Sequence, residues 1–224
     1  SELNVAGGAK LMVGGTATLP DFDIYTLDDA STVEYYGTAQ AVKSIQYGNL
    51  KLKNTGTKSF VAGIAKIAGD LEVIDNAEVV APETIEYNGA ASQKVAAIDY
   101  NNLTLSNGSS KVLQTGTVGV EGAFSAVGGA TANAITNKVT VDYKGASQDV
   151  LPMSYHNLTL SNLGTKTLSG INRVAGALTV QAGATPDFTS NSSTVHFNGA
   201  GVQQIPGLNY HILQATGDSV KTLT

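Results

Sequence analysis

The segment Lys138–Val150, KVTVDYKGASQDV, decides the fold because it is one of four similar segments along the chain. The others begin at Ser31 (STVEYYGTAQAV), Glu83 (ETIEYNGAASQKV) and Ser193 (STVHFNGAGVQQI). One glycine is common to all of them, at Gly37, Gly89, Gly145 and Gly199. It recurs about every 54 residues, and self-similarity at such a period is typical of solenoids, propellers and other repeat architectures.

Two further motifs recur in step with the first. The second begins with tyrosine, and its copies are Tyr47–Leu50, Tyr100–Leu103, Tyr155–Leu158 and Tyr210–Leu213. The third is looser, with copies at Glu2–Val5, Asp70–Val73, Ala123–Ala126 and Ala177–Val180. These motifs divide the chain into repeats at approximately 1–30 (partial, with an insertion), 31–83, 84–137, 138–191 and 192–224 (partial).

Short segments with apolar residues at every second position follow one another at nearly regular intervals. Such alternation predicts half-buried strands, and no segment has the periodicity of an amphipathic helix. We therefore predict an all-β fold, a parallel β-helix (β-solenoid) of about 18 residues per coil, with three coils per ~54-residue repeat. About twelve coils stacked ~4.8 Å apart would make a rod about 55–60 Å long.

An antiparallel sandwich or barrel is the alternative, because it too has short, regularly spaced strands. Asn88-Gly89 and Asn107-Gly108 would suit the tight turns of hairpins. However, two repeats fused into each sandwich would place equivalent motifs in inequivalent environments, so the solenoid is favoured.

The N-terminal partial repeat is irregular. Leu3 and Thr32 are much further apart in the chain than Leu71 and Thr84, the equivalent pair of the next repeat. We therefore expect an inserted coil and a loop between them. Both ends of the sequence lie inside the repeat pattern, and we expect a single segment of a longer array whose neighbours are further repeats of the same chain.

Composition narrows the classes of protein. The chain is 42% hydrophobic and has a net charge of −5, which favours a folded core over disorder. With 13 basic and 18 acidic residues and no basic cluster, nucleic acid is not an expected partner. No apolar segment is long enough to cross a bilayer. The lack of cysteine excludes thiolate metal sites, disulfides and cysteine nucleophiles.

A family resemblance comes from the motifs in combination. It is clearest at Tyr155–Ser161 (YHNLTLS) with Gly164–Gly170 (GTKTLSG), preceded by the Thr-Val-x-Tyr-x-Gly motif and its following glutamine. This combination resembles β-solenoid repeats in large, adhesin-like surface proteins of Bacteroidetes-type bacteria. The resemblance covers nearly the whole chain and implies a secreted stalk or filament segment. It implies no catalytic residue.

Enzymes that act on polysaccharides also use parallel β-helices, so the fold alone does not exclude catalysis. Arg173, the only arginine, lies at a variable outward position. Glu34, Glu86 and Asp142 are repeat-equivalent and three predicted coils apart, too far for a shared proton or water. His156 and His211 occupy a repeat position that is glycine or asparagine elsewhere. The expectation is therefore a chain with no catalytic site.

One acidic segment is a metal candidate. Asp21, Asp23, Asp28 and Asp29 lie close together in the sequence and could supply the hard oxygen ligands that calcium prefers. The spacing is not that of an EF-hand loop. The alternative is an acidic loop exposed to solvent. No other cofactor is expected.

Two aromatic sets recur, at Tyr35, Tyr87, Tyr143 and Phe197 and at Tyr47, Tyr100, Tyr155 and Tyr210. Exposed tyrosine rows could stack on sugar rings, but a phenylalanine at Phe197 indicates that the ring body matters, which favours packing inside the solenoid. Asn49, Asn102 and Asn157 are predicted to form a polar ladder at a turn.

The expected function is a non-enzymatic extracellular or cell-surface structural repeat of a stalk, adhesin or filament. One alternative is carbohydrate binding by a face of tyrosine and asparagine side chains, with surface glycans or other copies of the chain as partners. A more remote alternative is a polysaccharide lyase or hydrolase.

Overall fold

The computed structural model describes residues 1–224 and contains strands but no helix. Every strand pairing in it is parallel, which excludes the antiparallel alternative. The strands are β1 (Glu2–Val5), β2 (Lys10–Val13), β3 (Ile24–Leu27), β4 (Thr32–Tyr35), β5 (Gln40–Val42), β6 (Gln46–Tyr47), β7 (Asn49–Leu52), β8 (Gly56–Phe60), β9 (Ile64–Ile67), β10 (Leu71–Val73), β11 (Ala77–Val80), β12 (Thr84–Tyr87), β13 (Gln93–Val95), β14 (Asp99–Tyr100), β15 (Asn102–Leu105), β16 (Ser110–Leu113), β17 (Thr117–Val120), β18 (Phe124–Ala126), β19 (Thr131–Asn133), β20 (Thr140–Tyr143), β21 (Gln148–Val150), β22 (Ser154–Tyr155), β23 (Asn157–Leu160), β24 (Gly164–Val174), β25 (Leu178–Val180), β26 (Ala184–Phe197), β27 (Gln203–Ile205), β28 (Ile212–Ala215) and β29 (Lys221–Leu223).

Through the middle of the chain, a strand pairs with the strand three places further along. Thus β4 pairs with β7 and β7 with β10, while β6 pairs with β9 and β9 with β12. Three strands therefore complete one turn, and the chain forms a β-solenoid of about 11 turns. The turns are less uniform than predicted: the turn that pairs Thr117 with Thr140 is longer than the one that pairs Thr32 with Asn49.

The sequence repeat and the coil do not coincide. The first motif forms β4, β12 and β20, so one repeat spans eight strands, whereas three strands make a turn. A repeat thus covers two and two-thirds turns and not the predicted three. Corresponding motifs of successive repeats consequently lie on different faces of the solenoid. The strands Gln93–Val95 and Asp99–Tyr100 are too short for alternation to reveal them, which is why the sequence undercounts the strands.

The interior is one continuous core of 41 buried hydrophobic residues. Alternation places the inward side chains there: in β7, Leu50 and Leu52 are buried while Asn49 and Lys51 are only half-buried. Because parallel strands stack in register, each leucine lies over an apolar residue of the next turn, as with Leu50 over Leu71. Apolar burial along the whole axis is the main stabilising contribution to such a fold.

The irregular N-terminal part also belongs to the solenoid. Strands β1 and β3 pair with Glu2 opposite Ile24, and β2 pairs with β4 with Lys10 opposite Thr32. Between β2 and β3, a loop that buries Leu19 takes the place of the third strand. Compared with the segment from β10 to β12, the insertion adds this loop and β3, which is less than the predicted full coil and loop.

Strand pairing is interrupted at four gaps between turns, which we call the N-terminal, first, second and third slits. The N-terminal slit separates the loop after β2 and strand β3 from β5 and β6. The first slit separates β10 and β11 from β13 and β14, and the second separates β18 and β19 from β21 and β22. The third lies between β25 and β27 and continues to the isolated bridge between Phe188 and Tyr210. On the remaining face of the turn, pairing is intact, as between β12 and β15. The structure has no helix with the length and apolarity needed to span a membrane.

Candidate functional site

The most elaborate side-chain arrangement in the chain is a buried corner that recurs in every repeat. It combines the shared glycine, the glutamine three or four residues later and a lysine on the following turn. The four sets are Gly37, Gln40 and Lys58; Gly89, Gln93 and Lys111; Gly145, Gln148 and Lys166; and Gly199, Gln203 and Lys221. Repeats are numbered one to four by these sets, so that the repeat with Gly37 is the first. In each set the glutamine and the lysine are direct partners on paired strands. We call this arrangement the glycine–glutamine–lysine corner.

The glutamine connects two turns. In the third repeat, the Gly145 amide donates to Oε1 of Gln148 at 2.6 Å. Nε2 of Gln148 donates to the carbonyl oxygens of Val120 at 2.9 Å and Gly122 at 2.6 Å, both on the preceding turn. Equivalent sets of three hydrogen bonds form at Gln40, Gln93 and Gln203. This buried side chain provides the partner of the Gly145 amide and of the Gly122 carbonyl, whereas the Val120 carbonyl also accepts from the Lys144 amide.

The lysine holds the corner from the next turn. Lys58, Lys111 and Lys166 have no exposed surface, although lysine is almost never fully buried without a partner. Nζ of Lys58 donates to the carbonyl oxygens of Gly37 at 2.7 Å and Thr38 at 3.0 Å. Burial lowers the pKa of Lys58, as it does for Lys111 and Lys166, and the carbonyl oxygens act in the opposite sense because they stabilise the ammonium. Carbonyl oxygens, with no carboxylate, are the hydrogen-bond acceptors of these cations.

Glycine is required at the corner by close approach of the backbone. A Cβ atom at Gly145 would overlap the carbonyl oxygen of Glu121, and one at Gly199 would overlap that of Ala175. Gly201, two residues further on in the last corner, has open space around it. The shared glycine of the repeat is therefore explained by packing between turns.

A pair of aromatic side chains lies beside each corner. Tyr143 and Tyr155 are both fully buried, and their hydroxyls are 2.9 Å apart. The Tyr143 hydroxyl accepts from the Leu151 amide at 3.0 Å, and the Tyr155 hydroxyl donates to the Leu151 carbonyl. Tyr87 and Tyr100 repeat this arrangement around Ala96. Burial raises the pKa of all four phenols. The prediction that these rings pack inside the solenoid is confirmed.

Three repeat-equivalent asparagines each tie neighbouring turns together, but they open strands on three different faces of the solenoid and do not form the predicted ladder at a turn. Asn102 donates through Nδ2 to the Glu83 carbonyl at 2.8 Å and accepts at Oδ1 from the Ala123 amide at 2.8 Å. Asn49 makes the equivalent two bonds, and Asn157 bonds to Thr140 and to the Ala177 amide. Each side chain thus links the turn before it to the turn after it on its own face.

The repeat-equivalent carboxylates lie on three different faces of the solenoid and do not form a pair. Glu34 is buried beneath Lys10, with which it forms an ion pair, and the Lys10 hydrogen bond lowers the pKa of that carboxyl. Glu86 pairs with Lys66 at 3.3 Å, and Asp142 accepts from the Ser161 hydroxyl at 2.6 Å.

The remaining candidates for catalysis also lie apart. Arg173 and His211 are exposed, on different strands and turns. Burial lowers the pKa of His156, and Lys138 nearby acts in the same direction. The structure therefore brings none of these side chains together with the repeat-equivalent carboxylates.

Three of the four aspartates of the calcium candidate have partners, and no partner is shared. Asp21 forms an ion pair with Lys43, and Asp23 pairs with the N-terminal amine at 2.5 Å. Asp28 accepts from the Ala30 amide at 2.8 Å, and Asp29 is exposed. No group of three or more potential metal-ligating side chains occurs in the structure. The calcium site stays a prediction, and loss of calcium-dependent thermal stabilisation in an Asp28→Asn/Asp29→Asn variant would support it.

The buried lysines were not predicted from the sequence, although a signal was present. Lys58, Lys111, Lys166 and Lys221 recur with nearly the same period as the shared glycines. Lys166 also lies two positions before the buried Leu168 on one strand, and such positions face the same side. Periodicity and strand alternation together therefore indicate an inward lysine.

The pairing and the corner define the chain as a repeat protein of the parallel β-solenoid class. Comparison with known proteins adds no closer relationship: no family model, no curated protein and no solved structure matches the chain.

Proposed function

We propose that this chain is a non-enzymatic extracellular structural segment, part of a stalk, an adhesin or a surface filament, and that it works by stiffness and length. The supporting observation is the glycine–glutamine–lysine corner, which is built in the same way four times along one uninterrupted core. This corner recurs in each repeat, and its polar side chains bond to the backbone inside the solenoid. Such an arrangement suits a load-bearing rod.

The physical basis is the direction of the stabilising contacts. Each corner joins three successive turns: in the second repeat, Gln93 bonds to Ile67 and Gly69 on the turn below, and Lys111 bonds to Gly89 from the turn above. Hydrogen bonds to a charged group contribute about 1.5–3 kcal/mol each. Such bonds run along the axis, so tension along the rod is shared between the backbone ladder and the corners.

Carbohydrate binding by a tyrosine face has weaker support. The tyrosines that would stack on sugars, such as Tyr87 and Tyr143, are fully buried, and Asn102 uses its amide to link turns. A sugar-binding surface would therefore need side chains other than the repeated aromatics. A polysaccharide-degrading activity is also poorly supported, because the repeat-equivalent carboxylates are on separate faces.

Three measurements test the proposal. Small-angle scattering of the purified chain should give the profile of a rod, and antibody labelling of intact cells of the source organism should detect the chain on their surface. A glycan array should show no binding. A compact scattering profile, labelling that appears only after lysis, or specific binding to one glycan class would each overturn it.

A further inference from the structure

The four slits differ in the side-chain contacts that cross them. All four share the two bonds from the corner glutamine to carbonyl oxygens of the turn below, made by Gln40, Gln93, Gln148 and Gln203. The N-terminal slit is also crossed by the ion pair between Asp21 and Lys43. Parallel strands normally bridge neighbouring turns through a row of backbone hydrogen bonds. At a slit, two of the three faces lack that row, so side chains carry the connection.

The first slit has additional polar bonds. Asp70 on its lower side accepts from the Lys94 amide at 2.7 Å, which replaces one backbone bond of the missing ladder. Further along, Asn101 donates to the Pro82 carbonyl at 2.9 Å. The residues equivalent to Asp70 in the next two repeats are Ala123 and Ala177, so this carboxylate is present at the first slit alone.

The third slit is held by aromatic contact. Phe188 and Tyr210 form an isolated parallel bridge, and their rings stack with centroids 4.9 Å apart. Such a pair contributes about 0.5–1.5 kcal/mol beyond its buried area.

The second slit has neither device. Its lower wall is made of Ala126, Ala130 and Ala132, and its upper wall includes Pro152 and Met153, around a groove of about 270 Å³. The two bonds of Gln148 are its only polar side-chain connections between these walls. Proline also removes one backbone donor from the upper wall.

We propose that the solenoid opens locally at these slits, one per repeat, and that the corner glutamine is the clasp that keeps each slit closed, with the second slit opening first. Only the biological role of this opening rests on the proposed load-bearing function. The opening itself is a property of the isolated chain and can be measured on it. Under tension, a slit that opens lets one repeat yield while the fully paired turns on either side stay folded. Local opening of this kind draws on regions with few bridging bonds.

Single cysteines can measure the opening, since the chain has none of its own. Val150 on β21 borders the second slit, and Leu103 on β15 is paired on both sides; both are buried. We expect a thiol reagent to label Val150→Cys at least ~10-fold faster than Leu103→Cys under native conditions. Equal labelling rates at the two positions would overturn the proposal.

A second variant tests whether side-chain bonds across a slit keep it closed, and it leaves the corner glutamine in place. Asp70→Ala makes the first slit resemble the second, so Val95→Cys on β13 should label about 5- to 10-fold faster, because one hydrogen bond across the slit is lost. Labelling of Leu103→Cys should not change. Glu72→Ala is the matched control, because Glu72 pairs with Lys51 on its own sheet and not across the slit. Acceleration at both cysteines by Asp70→Ala would mean global destabilisation and would also overturn the proposal.

The outcome is separable from that of the proposed function. Uniform labelling of a chain that still scatters as a rod and is displayed on cells would remove the slits as opening points and leave the structural function standing. Fast labelling at Val150→Cys in a chain that is absent from the cell surface would do the reverse.

Discussion

The third and fourth repeats build the same corner but differ in the aromatic pair beside it. The third repeat has Tyr143 and Tyr155 around Leu151, whose amide donates to the Tyr143 hydroxyl. In the fourth, the first ring is Phe197, and the position of Leu151 is taken by Pro206, which has no amide hydrogen. The second hydroxyl is kept in both: Tyr210 donates to the Pro206 carbonyl at 2.8 Å.

Across the second, third and fourth repeats, the hydroxyl and the amide are present together or absent together. A buried N–H without an acceptor is costly, whereas replacing both partners by apolar groups can be nearly neutral. Repeats two and three keep both groups, and repeat four has lost both. The corner itself, with Gly199, Gln203 and Lys221, is unchanged. These three repeats therefore share an unchanged corner and differ in one hydrogen bond beside it.

Disrupting the corner that the third and fourth repeats share should have the largest effect on stability. Gly145→Ala and Gly199→Ala each place a Cβ on a carbonyl oxygen of the turn below, and we expect each to lower the free energy of unfolding by more than about 4 kcal/mol. Gly201→Ala, in the same corner as Gly199, has room for the added methyl and should change it by less than about 0.5 kcal/mol. Urea denaturation measures all three. Similar losses for Gly199→Ala and Gly201→Ala would show that space at the corner is not limiting.

The lysine should matter more inside the rod than at the last turn. Lys166→Met leaves the carbonyls of Gly145 and Ala146 without a donor in a dry interior, at a cost of about 2–4 kcal/mol. Lys221→Met should cost about 1 kcal/mol or less, because Lys221 is half-exposed and water can replace it. Chemical denaturation of both variants gives the difference. Equal costs would contradict a role for burial.

The repeat, the buried side chains and the slits differ in how far the sequence could predict them. The repeat, the parallel solenoid and the inward position of Tyr143 could be predicted, because they depend on periodicity in the amino-acid sequence. The inward Lys166 contradicts the usual preference of lysine for the surface, and its acceptors are carbonyls, which every residue carries. The slits could not be predicted, because alternation indicates which segments are strands but not which of them pair between turns.

The hydrogen bond that differs between the repeats gives a sharper test of the comparison. Tyr143→Phe alone removes the acceptor of the Leu151 amide and should cost about 1–3 kcal/mol. Leu151→Pro alone removes the donor and some packing. The double variant, which reproduces the fourth repeat, should cost less than the sum of the two by about 1 kcal/mol. A thermodynamic cycle on urea denaturation supplies this coupling, and strict additivity would show that the joint change in the fourth repeat has no energetic basis.

The third and fourth repeats should also contribute differently to the pH dependence of the free energy of unfolding at alkaline pH. Burial raises the pKa of Tyr143 and of Tyr155, and it raises the pKa of Tyr210, in the fourth repeat, to about 12. A phenol whose pKa is raised by folding binds its proton more tightly in the folded state than in the unfolded state. Its contribution is therefore complete below the unfolded pKa of about 10 and is lost as the pH rises from there towards the folded pKa.

Because the third repeat has two buried phenols and the fourth has one, Tyr143→Phe should flatten the pH dependence of unfolding by about 1.4 kcal/mol at one pH unit above 10. The loss of its hydrogen bond is present at every pH, so the slope isolates the ionisation. Urea denaturation at several pH values, with tyrosinate absorbance as a second signal, measures both. Parallel pH curves for the parent and the variant would mean that the Tyr143 phenol ionises as readily in the folded chain as in the unfolded one, and the two repeats would then differ in hydrogen bonding alone.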